Sequence, residues 1–291
     1  MAFDAFIAQA WDEHAADPQG VAARLGDTGL ALVSQESQVA PLATLAHHVC
    51  GEHLGRWREG LDLLQRLAAL PAAAASGTAA EALRRCQASL ALCAGDADAR
   101  PALTLSDRIR VGAMAAASLG LHDAPRALEL LRQASAEAES SALPDADPAH
   151  RALAANGNNL ACTLEEKTAP RSPEEVALMI LAAQTARRHW ALAGTWLETE
   201  RADYRLAMSW LAAGDAARAR VHADDCLALV QAHGAPPLEA FFAWEAQALV
   251  ARAASDTIVH EDALEHMRQA LAALDEADRI WCQPSLDKAA G

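Results

Sequence analysis

Three asparagines fall within four positions in the run Asn156-Gly157-Asn158-Asn159-Leu160-Ala161-Cys162-Thr163-Leu164. An asparagine side chain competes for the backbone and suits a helix interior poorly, so a cluster there calls for a reason. The amide carries donor and acceptor together and can pair with a peptide unit whatever side chain that unit bears. The competing use is a bond from Asn158 or Asn159 to a neighbouring helix or to water. Further along, Arg201 and Arg205 stand four apart and share one helix face. A guanidinium fork holds a carboxylate bidentately. Glu198 and Glu200 stand close in sequence and compete as ion-pair partners for the same arginines.

A second group is His47, His48, Cys50 and His53. In α-helical geometry His53 falls about 240° round from His47. No second cluster supplies the ligands that a closed zinc site needs. These side chains are expected to be ordinary helix-face residues, with no metal and no cofactor. Cys86 and Cys93 share one stripe and read as core. The chain contains no GxSxG, GxGxxG, GxxxxGK[ST] or HExxH pattern. Glu165-Glu166 and Asp224-Asp225 are adjacent pairs that point apart on a helix and read as solvated faces. The expectation is a protein that is not an enzyme.

Charge narrows the partners. Lys and Arg number 24 against 39 Asp and Glu, a net charge of −15 over 291 residues. A phosphate binder needs a basic footprint, and no dense basic cluster occurs, so neither nucleic acid nor an anionic membrane surface is expected. No segment reaches the roughly 18–20 unbroken apolar residues of a membrane span. The first residues, MAFDAFIAQAWDEH, lack a basic region and carry early acids, unlike a secretory signal. The six cysteines at 50, 86, 93, 162, 226 and 282 follow no framework spacing. They read as reduced core residues of a cytoplasmic protein.

The elements that must position these residues are helical. Alanine dominates the hydrophobic residues and β-branched residues are scarce, which favours helix throughout and close helix approach. Helices are expected near 3–16, 19–33, 37–54, 57–70, 79–94, 103–120, 123–140, 148–167, 173–192, 195–213, 215–232, 237–254 and 260–280, divided by Gly, Pro, Asp and Ser signals. Residues 72–78, AAAASGT, read as a connector, and 140–149 as a longer loop. The seven tryptophans at 11, 57, 190, 196, 210, 244 and 281 read mostly as core. Trp244, beside Phe241 and Phe242, offers an alternative apolar patch.

One helical hairpin recurs. Tyr204 to Cys226 reads as a helix, a break at Gly214 and a second helix, with Ala207, Ala219, Ala223 and Cys226 at the crossing. His47 to Leu67, with Gly55 at its break, follows the same template. So does Ala113 to Ala134, with Ala127, Leu131 and Ala134 on its packing face, and the DALEHMRQALAAL run repeats the stripe with Ala263, Met267 and Ala270. LAAGDAARARVHADDC and LHDAPRALELLRQA resemble the tetratricopeptide repeat (TPR), with its glycine-centred turn and small residues between antiparallel helices. Alanines at 127, 177, 219 and 263 stand 50, 42 and 44 residues apart, longer than the family's usual period of about 34. The resemblance spans about 36–281. It implies an all-α protein, a right-handed superhelical α-solenoid of five or six antiparallel helical hairpins. One TPR-like domain over 1–283 is expected, with a divergent hairpin at 1–35 and a frayed tail at 284–291.

NNLACTL is similar to first helices in the kinesin-light-chain-like branch, where such asparagines face the groove and hold a peptide backbone. Register then places Arg201 and Arg205 on the same inner face, similar to the carboxylate clamp of chaperone-binding TPR domains. Gly112 and Ala116 stand where that clamp would have Lys and Asn. The implied function is a non-catalytic scaffold whose concave groove, lined by Asn158, Asn159, Arg201, Arg205 and Met208, binds a peptide or extended segment with an acidic or C-terminal carboxylate. A sensor or regulatory array acting through homo-oligomerisation is the alternative, with an apolar end face at Phe241, Phe242 and Trp244.

Overall fold

Short polar side chains start most of the helices. In the computed structural model, which describes residues 2–73, 77–96, 102–141 and 143–291, Asp17, Thr104, Asp123, Asp215, Asp256 and Asp275 each accept a hydrogen bond from a backbone N–H of the first turn that follows. Ser172 and Thr195 form reciprocal capping boxes with Glu175 and Glu198. All elements among the described residues are helical. Residues 74–76 of the expected connector, and 142 of the expected loop, lie outside the described residues. No described helix is long and apolar enough to cross a membrane.

The chain divides into two compact units, 1–156 and 157–291. The first contains α1 (Phe3–Glu13), α2 (Pro18–Arg24), α3 (Leu30–Leu32), α4 (Val39–His47), α5 (Trp57–Ala68), α6 (Thr78–Cys93), α7 (Leu105–Leu119) and α8 (Ala124–Ser140). The division falls inside α9 (Pro148–Glu166). Two stretches expected as plain α-helix contain π-helical turns, Leu25–Gly29 between α2 and α3 and His48–His53 after α4. A core of Phe6, Val21, Leu25, Leu42, Leu45, Leu64, Leu67 and Leu90 holds α1, α2 and α4 to α6 together.

The second unit contains α10 (Pro173–Ala193), α11 (Trp196–Ala212), α12 (Ala216–Ala232), α13 (Pro237–Ala253), α14 (Thr257–Ala272) and α15 (Glu276–Ala290). Each helix from α10 to α15 packs on the next, and α13 also touches α11 and α15. The crossings use small residues, as expected: Ala207, Ala219, Ala223, Cys226 and Ala263 are fully buried. In the first unit Ala127 is equally buried. The turn after α11 places Gly214 at φ +79, with Asp215 N–H donating to Trp210 O at 2.9 Å. The turn after α13 repeats that bond, from Asp256 N–H to Ala251 O at 2.9 Å, but puts Ser255 at φ +58.

Four expectations about these elements are corrected. The helix expected over 260–280 is two helices, because Asp275 caps a new one by accepting from Asp278 N–H. The tail expected to fray continues α15 to Ala290, with Pro284 inside the helix and Leu286 and Ala289 buried. Ala177 is exposed, and α10 packs through Leu178, Met179, Ala182, Ala183 and Ala186 instead. None of the seven tryptophans is fully buried; Trp281 is 62% exposed. The cores are closed by alanine and leucine, which leaves little room for an indole at a close helix crossing. The six cysteines are free thiols, five of them buried and Cys162 half-buried.

Candidate functional site

The second unit carries two adjoining hollows that share Tyr204 and Arg205. The larger, about 740 Å³, is lined by the end of α9 and the residues after it, together with α11, α13 and α15. The smaller, about 400 Å³, is lined by Asn158 of α9, Arg201 of α11, Glu239 and Phe242 of α13, and Trp281 of α15, among others. Helices α11, α13 and α15 reach both hollows because the second helix of each pair, α12 and α14, lies between them in the chain and takes the other side of each crossing.

The smaller hollow is partly aromatic. Phe242 meets Tyr204 at 5.9 Å and Trp281 at 5.4 Å between ring centroids, both edge to face. Its charged members are already engaged within the fold. Arg201 donates to Glu239 at 2.9 Å, and Glu200 accepts from the Cys226 thiol at 3.0 Å. Burial pushes the Glu200 carboxyl up to about 7, against the opposing pull of the Cys226 bond.

The larger hollow is polar and nearly balanced in charge. Four cations, Lys167, Arg205, Arg252 and Lys288, face three carboxylates, Glu165, Glu166 and Glu245. Arg205 and Ser209 both donate to Glu165, and burial lifts the Glu165 carboxyl above its usual range despite both partners. Tyr204 donates to Glu245 at 2.9 Å. Burial also lifts Glu245, with the Tyr204 and Ser285 hydroxyls pulling the other way. Arg252 donates to the carbonyl oxygens of Lys288 and Ala289 and so caps the end of α15. Lys167 pairs with Glu175 at 2.5 Å. Lys288 is exposed and makes no ion pair within 4 Å among the described residues, though its charge acts on Glu245 and pulls that carboxyl down.

Of the residues singled out in sequence, Asn158, Arg201 and Arg205 line the smaller hollow, and Arg205 and Met208 the larger. Asn159 is exposed and lines neither; its amide oxygen accepts from Asn158 at 3.5 Å. Convergence of Asn159 with Arg201 and Arg205 is therefore corrected to Asn158, one position earlier on the helix. The arginines pair with Glu239 and Glu165 from other helices, and Glu198 instead closes the Thr195 capping box. Glu165, expected on a solvated face, is a half-buried ion-pair member. Sequence reasoning missed Tyr204, Glu245, Trp281 and Lys288, which share no local motif and meet only through the stacking of α11, α13 and α15. Phe241 is buried, Phe242 faces the smaller hollow, and Trp244 stacks on His266 at 4.1 Å.

In the first unit, His47 is buried and bonded to Ser89 at 2.8 Å, and burial holds its imidazole down at about 4. His48 and His53 face each other, and His14 joins them. No family model, curated protein or solved structure matches this chain.

Proposed function

We propose that the second unit is part of a right-handed, TPR-like α-solenoid, and that the paired hollows are a groove for an extended peptide. The protein would act as a non-catalytic scaffold. The observation that carries this reading is the joint lining of both hollows by successive alternate helices, α11, α13 and α15. Such a surface follows the chain of helices and matches the length of an extended segment better than a compact small molecule. The Phe242–Trp281 edge supplies an apolar seat, and Trp281 is exposed enough to be covered by a ligand side chain. Asn158 supplies a backbone-pairing amide, and Lys288 an exposed cation for a side-chain or C-terminal carboxylate.

The buried Phe241 and the stacked Trp244 argue against a flat apolar end face at those residues and favour the groove over homo-oligomerisation there. The test is selection of peptides on the full chain from a random library, followed by affinity measurement on Trp281→Ala and Lys288→Glu. Both residues are exposed, so both variants should melt like the parent. Loss of an aromatic seat and reversal of the exposed charge should each weaken binding about tenfold or more. Unchanged affinity in both variants removes the groove as the binding surface.

A further inference from the structure

The π-helical segment His48–His53 changes which side chains meet. In an α-helix, residues five apart point about 140° away from each other. The wider π turn stacks them instead. His48 and His53 accordingly face each other, with Nε2 to Nε2 at 3.1 Å. His14, just past the end of α1, completes a triangle, its ring centroid 5.0 Å from that of His48 and 4.9 Å from that of His53. One ring nitrogen of each histidine lies within 4.8 Å of the other two.

The proton positions favour a metal. Nδ1 of His14 bonds to the Trp11 carbonyl oxygen, which can only accept, so this nitrogen carries the hydrogen. Nδ1 of His48 lies 3.0 Å from a Glu52 carboxylate oxygen, which can only accept from it. Both bonds leave Nε2 with a lone pair, and carboxylate or carbonyl contacts at the far nitrogen are the usual support of ligating imidazoles. Two imidazole nitrogens on one tetrahedral zinc, each at about 2.0–2.1 Å, stand about 3.3 Å apart. The 3.1 Å between His48 and His53 needs only a small spread to meet that value.

We propose that His14, His48 and His53 bind one divalent transition-metal ion, Zn²⁺ in the first instance, with Glu52 as the positioning residue for His48. Three imidazoles suit zinc, copper and nickel and disfavour magnesium and calcium, which take oxygen ligands. His53 is exposed, so the fourth position opens to solvent and takes water or a ligand group. The ion would clip the end of α1 to the π-helical end of α4, two segments that contribute to one core.

A second cluster serves as an internal control. Asp203, His222 and Asp225 also group, but Asp203 is already engaged by Arg187 at 2.6 Å. The experiment is isothermal titration of the metal-stripped full chain with Zn²⁺, with Co²⁺ as a spectroscopic probe. One tight ion per chain is expected, with visible d–d absorption of low-coordinate Co²⁺ and a rise in melting temperature that chelator reverses. His53→Ala and His14→Ala, on separate elements, should each weaken Zn²⁺ at least tenfold, and Glu52→Gln about tenfold, while His222→Ala changes nothing. Circular dichroism shows which variants fold, and those that do are scored. Equal Zn²⁺ affinity in folded His53→Ala or His14→Ala, or loss confined to His222→Ala, overturns the site. So does purely octahedral, water-like Co²⁺ absorption.

Discussion

Arg205→Ala is expected to destabilise the protein, whatever it does to binding. The side chain is 21% exposed and its partner Glu165 only 10% exposed. Removing the guanidinium leaves a largely buried carboxylate with the Ser209 hydroxyl as its remaining side-chain partner. Breaking a fully buried pair costs about 3–5 kcal/mol. Two features reduce that here: the pair is partly solvated, and burial already lifts the Glu165 carboxyl, so a proton can neutralise it. A loss of about 2–3 kcal/mol at neutral pH is expected, at or just below the bottom of that range. At roughly 2–4 °C per kcal/mol, the melting temperature should fall by about 4–12 °C. Thermal unfolding followed by circular dichroism measures it. The double variant Arg205→Met, Glu165→Leu should recover at least half of the loss, because it buries no orphaned charge. An Arg205→Ala protein that melts within about 1 °C of the parent would refute the reasoning and return Arg205 to the role of a free anion ligand.

Three further outcomes follow from single positions. Gly157→Ala should lower stability by about 1–2 kcal/mol in denaturant unfolding: a Cβ there would stand 2.6 Å from the Ala182 carbonyl oxygen, and that overlap exceeds the roughly 1 kcal/mol gain in helix propensity; a more stable variant contradicts it. Ser255→Gly should raise stability by about 0.5–1 kcal/mol in the same assay, because Ser255 holds φ +58 where the equivalent turn has Gly214; no gain would mean the turn is unstrained. Glu200 keeps its proton up to about pH 7 in the folded state against 4.5 as the unperturbed value, so the unfolded state releases it first and the group's contribution to stability falls as pH rises between about 4.5 and 7. Glu200→Gln should therefore gain most over the parent at and above pH 7 and nothing below about pH 4.5, and a pH-independent difference in unfolding free energy would show that Glu200 titrates normally.

The helices were legible because their signals are local. Aspartate caps, capping boxes and Ala207, Ala219 and Ala223 at a crossing are read within one or two turns of chain. What escaped reading depends on departures from regular geometry or on partners far away in sequence. The π turn at His48–His53 brings two histidines together that regular α-helical geometry would hold about 140° apart. A single capping aspartate at Asp275 broke a stretch whose apolar stripe ran on unchanged. Arg201 and Arg205 do line one hollow, but their partners, Glu239 and Glu165, stand 38 and 40 residues away, beyond any neighbour rule. Asn158 and Asn159 differ by one helical step, about 100°, which is enough to put one in a hollow and the other in solvent.

The most direct test of the groove is where a selected peptide lies. A photo-reactive amino acid placed at 281, beside Phe242 on α15, should capture the peptide on illumination. The same group at 221, exposed on α12 and outside both hollows, should capture little. Capture confined to position 281, and lost on competition with unlabelled peptide, is the outcome the account requires. Equal capture at both positions, or capture at 221 alone, would contradict it.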